Sequence, residues 1–415
     1  WYEEGLSHIW LPYTQMKTVV PPLAVASTKG SRIRLADGRE LVDGNASWWT
    51  ACHGYNHPHI AEAVARQLQA MPHVMLGGLV HEPALTLARR LAAVLPGNLE
   101  RVFFSDSGSV AVEVAMKMAM QYWLNRGARG RTKFVAFKGG YHGDTFATMA
   151  VCDPEEGMHS LFAGALPEHF IFDLPRDEES TAVLETFLAR RAGEVAGIVV
   201  EPLVQGAGGM LFHDAECLQR LRRLADKFDL ILIFDEIFTG FGRTGTMFAC
   251  EAAEVVPDII TLGKGLSGGT LPLAATVASK KIFDAFWSDD PAHALMHGPT
   301  FMGNALACAA ANASLDLFEG EPRLLESAEI GKFLGPALGR CLKLPGVKDV
   351  RVKGAIGVVE LEKIGDLNLL KRRFVEKGVF IRPFRNIVYL APALTIGRDD
   401  LDLLARAIFE VLRDR

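Results

Sequence analysis

Between about residues 55 and 290, short apolar runs alternate with glycine-rich turns and with segments of helical character. Runs this apolar are typical of parallel strands that are buried on both faces of a sheet. Strands that alternate with helices predict an α/β layer fold with a mostly parallel sheet and helices on both faces. The predicted central strands are Arg101–Phe104, Phe134–Phe137, Gly197–Val200, Leu230–Phe234 and Asp258–Leu262.

The flanking segments have a different pattern. Ile33–Asp43 is typical of a hairpin with an Asp-Gly turn, and two later segments, Lys348–Glu362 and Val379–Leu390, also resemble strands. From Asp399 onward, apolar residues recur on one face of a helix. The 415 residues are enough for two cores. We therefore predict a large domain over 46–319 and a smaller α+β domain formed by 1–45 and 320–415.

The charge and cysteine content exclude several classes of protein. The net charge of −5 comes without a long run of one sign, so nothing indicates binding to nucleic acid or to an acidic membrane. The six cysteines form no C-x-x-C pair, which argues against structural zinc and a disulfide framework. We see neither a signal peptide nor an apolar segment of membrane-spanning length. These features predict a cytoplasmic enzyme.

Ligands of open α/β sheets bind at the carboxyl ends of the strands, so the residues that follow each run are informative. The first run leads into the turn 105–109 (SDSGS) and then into a helix-like segment, Val110–Ala119. Small residues at such a turn favour a phosphate site at the helix start, although an ordinary capped turn has the same pattern. The second run is followed by Tyr141 in a glycine-rich stretch. That ring could stack on a flat ligand or cover an edge of the core.

Two further strand ends carry a carboxylate and a lysine. Asp235 follows Leu230–Phe234, and Lys264 lies between two glycines after Asp258–Leu262. A carboxylate that ends a buried strand needs a partner, which could be a protonated ring nitrogen or an arginine. A buried lysine amine has a lowered pKa and attacks carbonyls, whereas a lysine in a solvated loop would not. Together the two groups meet the requirements of pyridoxal phosphate (PLP) chemistry, and Ile237 could pack against the ring.

The segment 240–245 (GFGRTG) also follows a strand and fits the G-x-G-x-x-G pattern of dinucleotide-binding proteins, with Asp258 at a plausible distance. Two observations argue against that interpretation. Asp235 and Glu236 would place negative charge near the pyrophosphate, and the segment after Gly245 is a poor amphipathic helix.

At these residues the sequence resembles the class III (subgroup II) aminotransferases of PLP fold type I, and the resemblance implies a large domain with a mostly parallel, seven-stranded sheet. The class signature corresponds to Leu232–Gly269, and the resemblance covers essentially the whole chain. Within the class, the chain looks like the branch that transfers an amino group from S-adenosylmethionine to 8-amino-7-oxononanoate in biotin biosynthesis. The stretches that carry this closer resemblance are 8–14 (HIWLPYT), 47–49 (SWW), 53–58 (HGYNHP), 106–117 (DSGSVAVEVAMK), 140–145 (GYHGDT), 152–154 (CDP), Met158-His159-Ser160, 204–210 (VQGAGGM), 297–304 (HGPTFMGN) and 381–384 (IRPF).

The resemblance implies a role for each cofactor-site residue. Lys264 would be the Schiff-base lysine and the group that moves the proton, and Asp235 would pair with the ring nitrogen. Tyr141 would stack on one ring face and Ile237 would pack on the other.

The phosphate would be bound at the helix start by Gly108 and Ser109. Thr300, with Pro299, would reach the phosphate of the neighbouring subunit's cofactor. An active homodimer is therefore implied.

On the substrate side, the resemblance implies that Arg382 binds the carboxylate of the oxononanoate. Tyr13, Trp48, Trp49 and Gly298 would shape the pocket. Adjacent residues of a strand face opposite ways, so both tryptophans line one pocket only if the chain is irregular there. Otherwise they are ordinary packing residues.

Several alternatives stay open at this point. Arg382 could form a surface salt bridge, and Arg243 could touch substrate or pair with a carboxylate. The pocket residues do not separate S-adenosylmethionine from lysine as the amino donor. Rival functions are another class III ω-amino-acid or diamine transaminase, and a non-catalytic binding protein with the PLP fold.

Overall fold

The computed structural model describes residues 1–154, 159–162 and 164–415, so Met158 of one similar stretch lies outside the described residues. Strands β1 to β16 are, in chain order, Val25–Lys29, Arg32–Leu35, Glu40–Asp43, Leu99–Ser105, Lys133–Phe137, Phe170–Phe172, Val195–Val200, Val204–Gln205, Leu211–Phe212, Ile231–Asp235, Ile259–Leu262, Ala274–Ser279, Val347–Lys353, Ile356–Leu361, Val379–Phe380 and Ile387–Leu390. Helices α1 to α13 are Tyr2–Leu6, Pro58–Ala70, Glu82–Val94, Gly108–Asn125, Phe146–Met149, Glu178–Arg191, Ala215–Lys227, Ala249–Ala252, Lys280–Asp284, Ala305–Gly320, Arg323–Gly339, Leu367–Glu376 and Arg398–Arg413.

A seven-stranded sheet in the order β4-β12-β11-β10-β7-β5-β6 forms the centre of the molecule. Only β12 runs antiparallel to its neighbours β11 and β4. All five predicted central strands belong to this sheet, and the predicted α/β class with a mostly parallel sheet is confirmed.

Strand β10 shows why the central runs are apolar throughout. Leu232 and Phe234 face one hydrophobic core, and Ile231 and Ile233 face another on the opposite side of the sheet. All four side chains are fully buried, because helices cover both faces. Each such burial stabilises the fold by about 1.5–3 kcal/mol.

The chain ends build two smaller sheets. The predicted hairpin is confirmed as the antiparallel pair β2–β3, whose turn contains Gly38 at φ +92°. β15 joins this sheet in parallel beside β3, and β13, β14 and β16 form a separate three-stranded sheet. Helix α13 buries the face predicted for it, which contains Leu404, Ala407, Ile408, Val411 and Leu412. The division into domains at residues 45 and 320 stays a prediction.

Within the described ranges, no helix combines the length and apolar character that crossing a membrane requires.

Candidate active site

A cleft lies where β10 and β11 of the large sheet end, beside the start of α4. Its cavity volume is about 160 Å³. Seven of the predicted site residues line it: Trp49, Gly108, Ser109, Tyr141, Asp235, Ile237 and Lys264. His142, Gly143, Glu201, Ala207 and Phe238 complete the lining.

Asp235 is the last residue of β10 and is only 4% exposed. Its Oδ1 accepts hydrogen bonds from the backbone N–H of Ile237 at 3.1 Å and from Thr261 Oγ1 at 3.2 Å. Its Oδ2 lies 2.8 Å from His142 Nδ1. A buried carboxylate with this many partners has a fixed orientation toward the cleft.

His142 was not assigned a role from the sequence. Burial lowers the pKa of its imidazole, but the hydrogen bond and the charge of Asp235, together with the charge of Glu201, outweigh burial and raise it overall. His142 and Asp235 therefore form a buried, charge-assisted pair. The signal that could have identified His142 is its place in the glycine-rich stretch after β5, at the same sheet edge as Asp235.

Glu201 is a second functional residue that the sequence reasoning missed. It follows β7 directly, as Asp235 ends β10, so its strand-end position was visible. Its two carboxyl oxygens accept the backbone N–H groups of Tyr141 and Gly206, each at 3.0 Å. Burial raises the pKa of Glu201 to about 7. The side chain thus fixes the backbone beneath Tyr141 and adds a titrating group to the cleft.

Lys264 begins a 3₁₀ turn, Lys264–Ser267, directly after β11 and has φ +41°. Its Nζ lies 4.7 Å from the centre of the Trp49 ring. Burial lowers the pKa of the Lys264 amine, and the charges of Asp235 and Glu201 oppose that shift without cancelling it. More of the amine is therefore in the nucleophilic, unprotonated form than for a lysine in water.

Buried side chains hold the backbone that follows Lys264 through hydrogen bonds. The carbonyl of Gly265 accepts a hydrogen bond from Ser314 Oγ at 3.4 Å and a weaker one from Cys52 Sγ at 3.5 Å. Ser314 in turn bonds His53 Nε2 at 3.0 Å, and His53 Nδ1 accepts from Arg323 Nε at 3.0 Å. This buried chain of polar groups connects the lysine turn to the start of α11.

The start of α4 forms the anion-binding end of the cleft. Ser107 caps the helix by accepting the N–H of Val110. A Cβ on Gly108 would lie 2.9 Å from Ile237 Cγ2, and one on Gly143 would lie 2.2 Å from Ser109 Oγ. Only glycine fits at either position, so the backbone N–H groups stay accessible to an anion, which the dipole of this 18-residue helix favours.

Tyr141 links the cleft to the N-terminal segment. Its hydroxyl donates to Asp144 Oδ1 at 3.0 Å and lies 3.1 Å from the hydroxyl of Tyr13, which donates to Asp144 Oδ2. His159 stacks near the Tyr141 ring, at 6.0 Å between centroids, and bonds Asp144 Oδ1 at 2.9 Å. Burial and Asp144 raise the pKa of Tyr13 to about 12, so its hydroxyl keeps its proton at neutral pH.

The two tryptophans lie in a chain segment that is neither a strand nor a right-handed helix. Residues 46–49 all have positive φ, between +44° and +74°. Such left-handed residues cost about 1–2 kcal/mol each when they are not glycine. The chain is thus irregular here, as it must be if both rings are to line one pocket. Trp49 lines the cleft beside Lys264, whereas Trp48 is not part of the lining and has the guanidinium carbon of Arg382 4.5 Å from its ring centre.

Arg382 forms no salt bridge with a carboxylate of the described residues. Its guanidinium lies over Trp48, whose ring meets that of Tyr13 edge-on at 6.1 Å. The surface salt bridge considered from the sequence is therefore not formed in the described structure. An unpaired guanidinium beside aromatic walls suits a ligand that combines a carboxylate with an aliphatic chain.

Tyr13, Trp48 and Arg382 are not among the residues that line the cleft, and four further residues considered from the sequence do not line it either. Gly298 and Thr300 are exposed and Pro299 is half-buried, and none of the three lines the cleft. Arg243 is 2% exposed and donates from Nη1 to the carbonyl of Pro392 at 2.6 Å, and burial lowers the pKa of its guanidinium to about 10. The pattern at 240–245 leads only to the four-residue helix α8, which is too short for the helix of a dinucleotide-binding unit.

Comparisons with known proteins agree with this geometry. The model of the aminotransferase class-III family matches residues 13–412. The chain is 46% identical over 414 residues to the adenosylmethionine-8-amino-7-oxononanoate aminotransferase of Mycobacterium leprae, and the match covers 98% of this chain and 95% of the relative.

Two solved structures are similar over nearly their full lengths. A crystal structure of an aminotransferase with the same name from Methanocaldococcus jannaschii has a TM-score of 0.95 at 33% identity, covering 100% of this chain and 98% of the other. An amine transaminase from an uncultivated Pseudomonas species, in its PLP-bound form, has a TM-score of 0.91 at 32% identity and covers 98% of each chain.

Proposed function

The chain belongs to the class III aminotransferases, and we propose that it uses PLP to transfer an amino group from S-adenosylmethionine to 8-amino-7-oxononanoate, giving 7,8-diaminononanoate. The observation that carries the proposal is a cleft lined by the buried Asp235 and by Lys264. Trp49 also lines the cleft, and its neighbour Trp48 lies against the guanidinium of Arg382, which forms no ion pair within the described residues.

The residues of the cleft fit PLP. Asp235, fixed by His142, would hold the ring nitrogen, and the start of α4 at Gly108 and Ser109 would hold the phosphate. Tyr141 and Ile237 line the cleft between these groups and would flank the ring. The glycine positions at which a Cβ would clash leave the space that a flat ring with a phosphate needs.

When bound, PLP supplies an electron sink that stabilises negative charge on the substrate carbon next to the amino group. The chain supplies the proton chemistry. Lys264, with its lowered pKa, would act as the base that removes the proton from that carbon and then as the acid that gives this proton back. Asp235, held by its contact with His142, would bind the ring nitrogen and favour its protonated form.

The outer end of the cleft selects the acceptor. Arg382 binds the terminal carboxylate, while Trp48, Trp49 and Tyr13 contact the aliphatic chain between that carboxylate and the ketone. The exposed Thr300, with Pro299, contributes to the phosphate site of a second subunit, so the active enzyme is a homodimer. Gly298 adjoins this segment and borders the neighbouring substrate site.

The test follows each half of the reaction on the purified, PLP-loaded protein. S-adenosylmethionine alone, and in a separate sample lysine alone, is added while the absorption of the bound cofactor is recorded. 8-amino-7-oxononanoate is added afterwards. We expect S-adenosylmethionine to convert the cofactor to its amino form and the oxononanoate to reverse the change. Lys264→Ala serves as the control, and we expect conversion to fall by a factor on the order of 10⁴.

Each other result has a definite meaning. If only lysine converted the cofactor, 8-amino-7-oxononanoate would remain the proposed acceptor and lysine would replace S-adenosylmethionine as the amino donor. Conversion by simple amines without reversal by the oxononanoate would instead assign the chain to the amine transaminases, which the similarity to the Pseudomonas structure makes the second candidate. A colourless protein that reacts with none of these compounds would indicate a non-catalytic binding protein.

A further inference from the structure

The left-handed turn at 46–49 contains no glycine, although each of its residues has positive φ. Its sequence is Ala-Ser-Trp-Trp, and none of these side chains favours this conformation. Such a turn persists only where the surrounding structure holds it, and it is commonly found at ligand sites. The question is therefore which residues hold it.

Asp43, the last residue of β3, accepts three hydrogen bonds from the turn and its support. Its Oδ1 accepts the N–H of Asn45 at 2.8 Å, and its Oδ2 accepts the N–H of Ser47 at 3.0 Å. The Tyr55 hydroxyl donates to the same Oδ2 at 2.5 Å. The side chain is 2% exposed, so water does not replace these bonds if the carboxylate is lost.

Asn45 connects the same turn to the substrate arginine. Its Oδ1 accepts the backbone N–H of Arg382 at 2.8 Å, and its Nδ2 donates to the carbonyl of Tyr389 at 3.3 Å. Like Asp43, Asn45 is 2% exposed. One buried side chain thus fixes the position of the turn relative to the backbone of Arg382.

The turn connects the cleft to Arg382. It places the Trp48 ring under the guanidinium of Arg382 and the Trp49 ring beside the Lys264 amine. If the turn relaxed to an extended strand, the two indoles would point to opposite sides. The conformation held by Asp43 and Asn45 is therefore what allows both rings to face one ligand.

We propose that Asp43 and Asn45 are positioning residues for acceptor binding: their buried side chains hold the 46–49 turn in register with Arg382, so that Trp48, Trp49 and Arg382 form a single site for an aliphatic chain that ends in a carboxylate. This inference rests on the proposed function, since it assigns that site to the oxononanoate. Neither residue reaches the reacting atoms.

The test uses nonanoate, an aliphatic monocarboxylate, as the probe. Its binding to the PLP-loaded protein is measured through tryptophan fluorescence, because two of the reporting rings are in the turn. We expect Asp43→Asn to weaken nonanoate binding roughly 10- to 100-fold while the absorption spectrum of the bound cofactor is unchanged. Asp37→Asn, which alters an exposed carboxylate in the β2–β3 turn, is the matched control and should leave the affinity unchanged.

A second substitution tests the strained turn itself. Ala46→Gly removes a methyl group at a position with φ +44°, where glycine is favoured. In the Asp43→Asn background, Ala46→Gly should recover part of the nonanoate affinity, because the turn then needs less support. If Asp43→Asn does not fold, Tyr55→Phe removes one of the three hydrogen bonds and should weaken nonanoate binding by a smaller factor.

A lowered thermal midpoint in Asp43→Asn with unchanged nonanoate affinity would overturn the inference, because Asp43 would then act only on stability. Absence of nonanoate binding by the unmodified protein would overturn it too. Failure of the proposed function is seen separately: the unmodified protein would not transfer an amino group to the oxononanoate, whatever Asp43→Asn does to the binding of nonanoate.

Discussion

The cleft has an inner floor and an outer wall that are built in different ways. The floor consists of Asp235, Lys264 and the start of α4, each at or next to the end of a buried strand of the large sheet. The wall consists of Tyr13, the 46–49 turn and Arg382, which lie outside regular strands and come from the two chain ends. Trp48 and Tyr13 of the wall are largely exposed, whereas Asp235 is buried.

Under the proposed function, this difference would correspond to a division of labour. The floor would serve every amino group that enters the cleft, and it is fixed by the most regular part of the fold. The wall would distinguish one substrate from another, and it is assembled from irregular segments held by a few side-chain hydrogen bonds. Substitutions in the floor should therefore affect both halves of the reaction equally, and substitutions in the wall should affect them unequally.

Asp235→Asn should produce the largest effect and test the floor. It removes the negative charge beside His142 while preserving the shape of the side chain. An amide cannot stabilise a protonated ring nitrogen as a carboxylate does, and loss of one preorganised charged partner slows catalysis by roughly 10²–10³-fold, so the rates of both half-reactions should fall by about that factor. Stopped-flow absorption of the bound cofactor measures both rates. Asp226→Asn on the surface of α7 is the control and should change neither rate. If Asp235→Asn slowed only one half-reaction, the proposed difference between floor and wall would be wrong.

Arg382→Gln should produce a smaller and asymmetric effect. It removes the guanidinium that lies over Trp48, and we expect the KM of the oxononanoate to rise roughly 10- to 100-fold with a smaller change in the donor half-reaction. Steady-state kinetics with each substrate varied in turn measures this. The matched control, Arg39→Gln, removes an exposed arginine that pairs with Asp37. Equal losses for both substrates would show that the wall does not discriminate between them.

His53 tests how the floor is supported, because it bonds both Ser314, which contacts the turn after Lys264, and Arg323. Burial, and then the charge of Arg323, lower the pKa of His53 to about 3. The unfolded chain therefore binds a proton below pH 6.5 that the folded protein does not. This contribution to stability is complete above pH 6.5 and is lost as the pH falls toward 3.

Urea unfolding at pH 7 and pH 5 tests this contribution. The free energy of unfolding should fall by about 2 kcal/mol more in the unmodified protein than in His53→Gln, whose side chain does not titrate. All other titrating groups are common to the two proteins and cancel in the comparison. An identical pH dependence would show that folding does not lower the pKa of His53.

The sequence predicted the floor better than the wall. Asp235 and Lys264 directly follow apolar runs, and their proximity follows from the rule that parallel strands end at one edge of a sheet. The missed β12 contains small residues (AATVAS) rather than a long apolar run, and the short β6 contains only three residues. Both were therefore hard to distinguish from loops.

Contacts between residues that are far apart in the chain could not be predicted from any local sequence pattern. The His142–Asp235 pair spans 93 residues, and nothing near either residue specifies the other. The left-handed turn was still harder to predict, because it has no glycine and depends on Asp43 and Tyr55. The sequence indicated only that the chain had to be irregular at Trp48 and Trp49.

The hydrogen bond between Asn45 and Arg382 joins residues 337 positions apart, and β15 pairs in parallel with β3 across a similar separation. On the ribosome, all floor residues have been synthesised more than a hundred residues before Arg382 is added. Contacts of such long range form late, because the intervening chain must first be brought together. The proposed acceptor wall can therefore be completed only after the C-terminal part of the chain has been made.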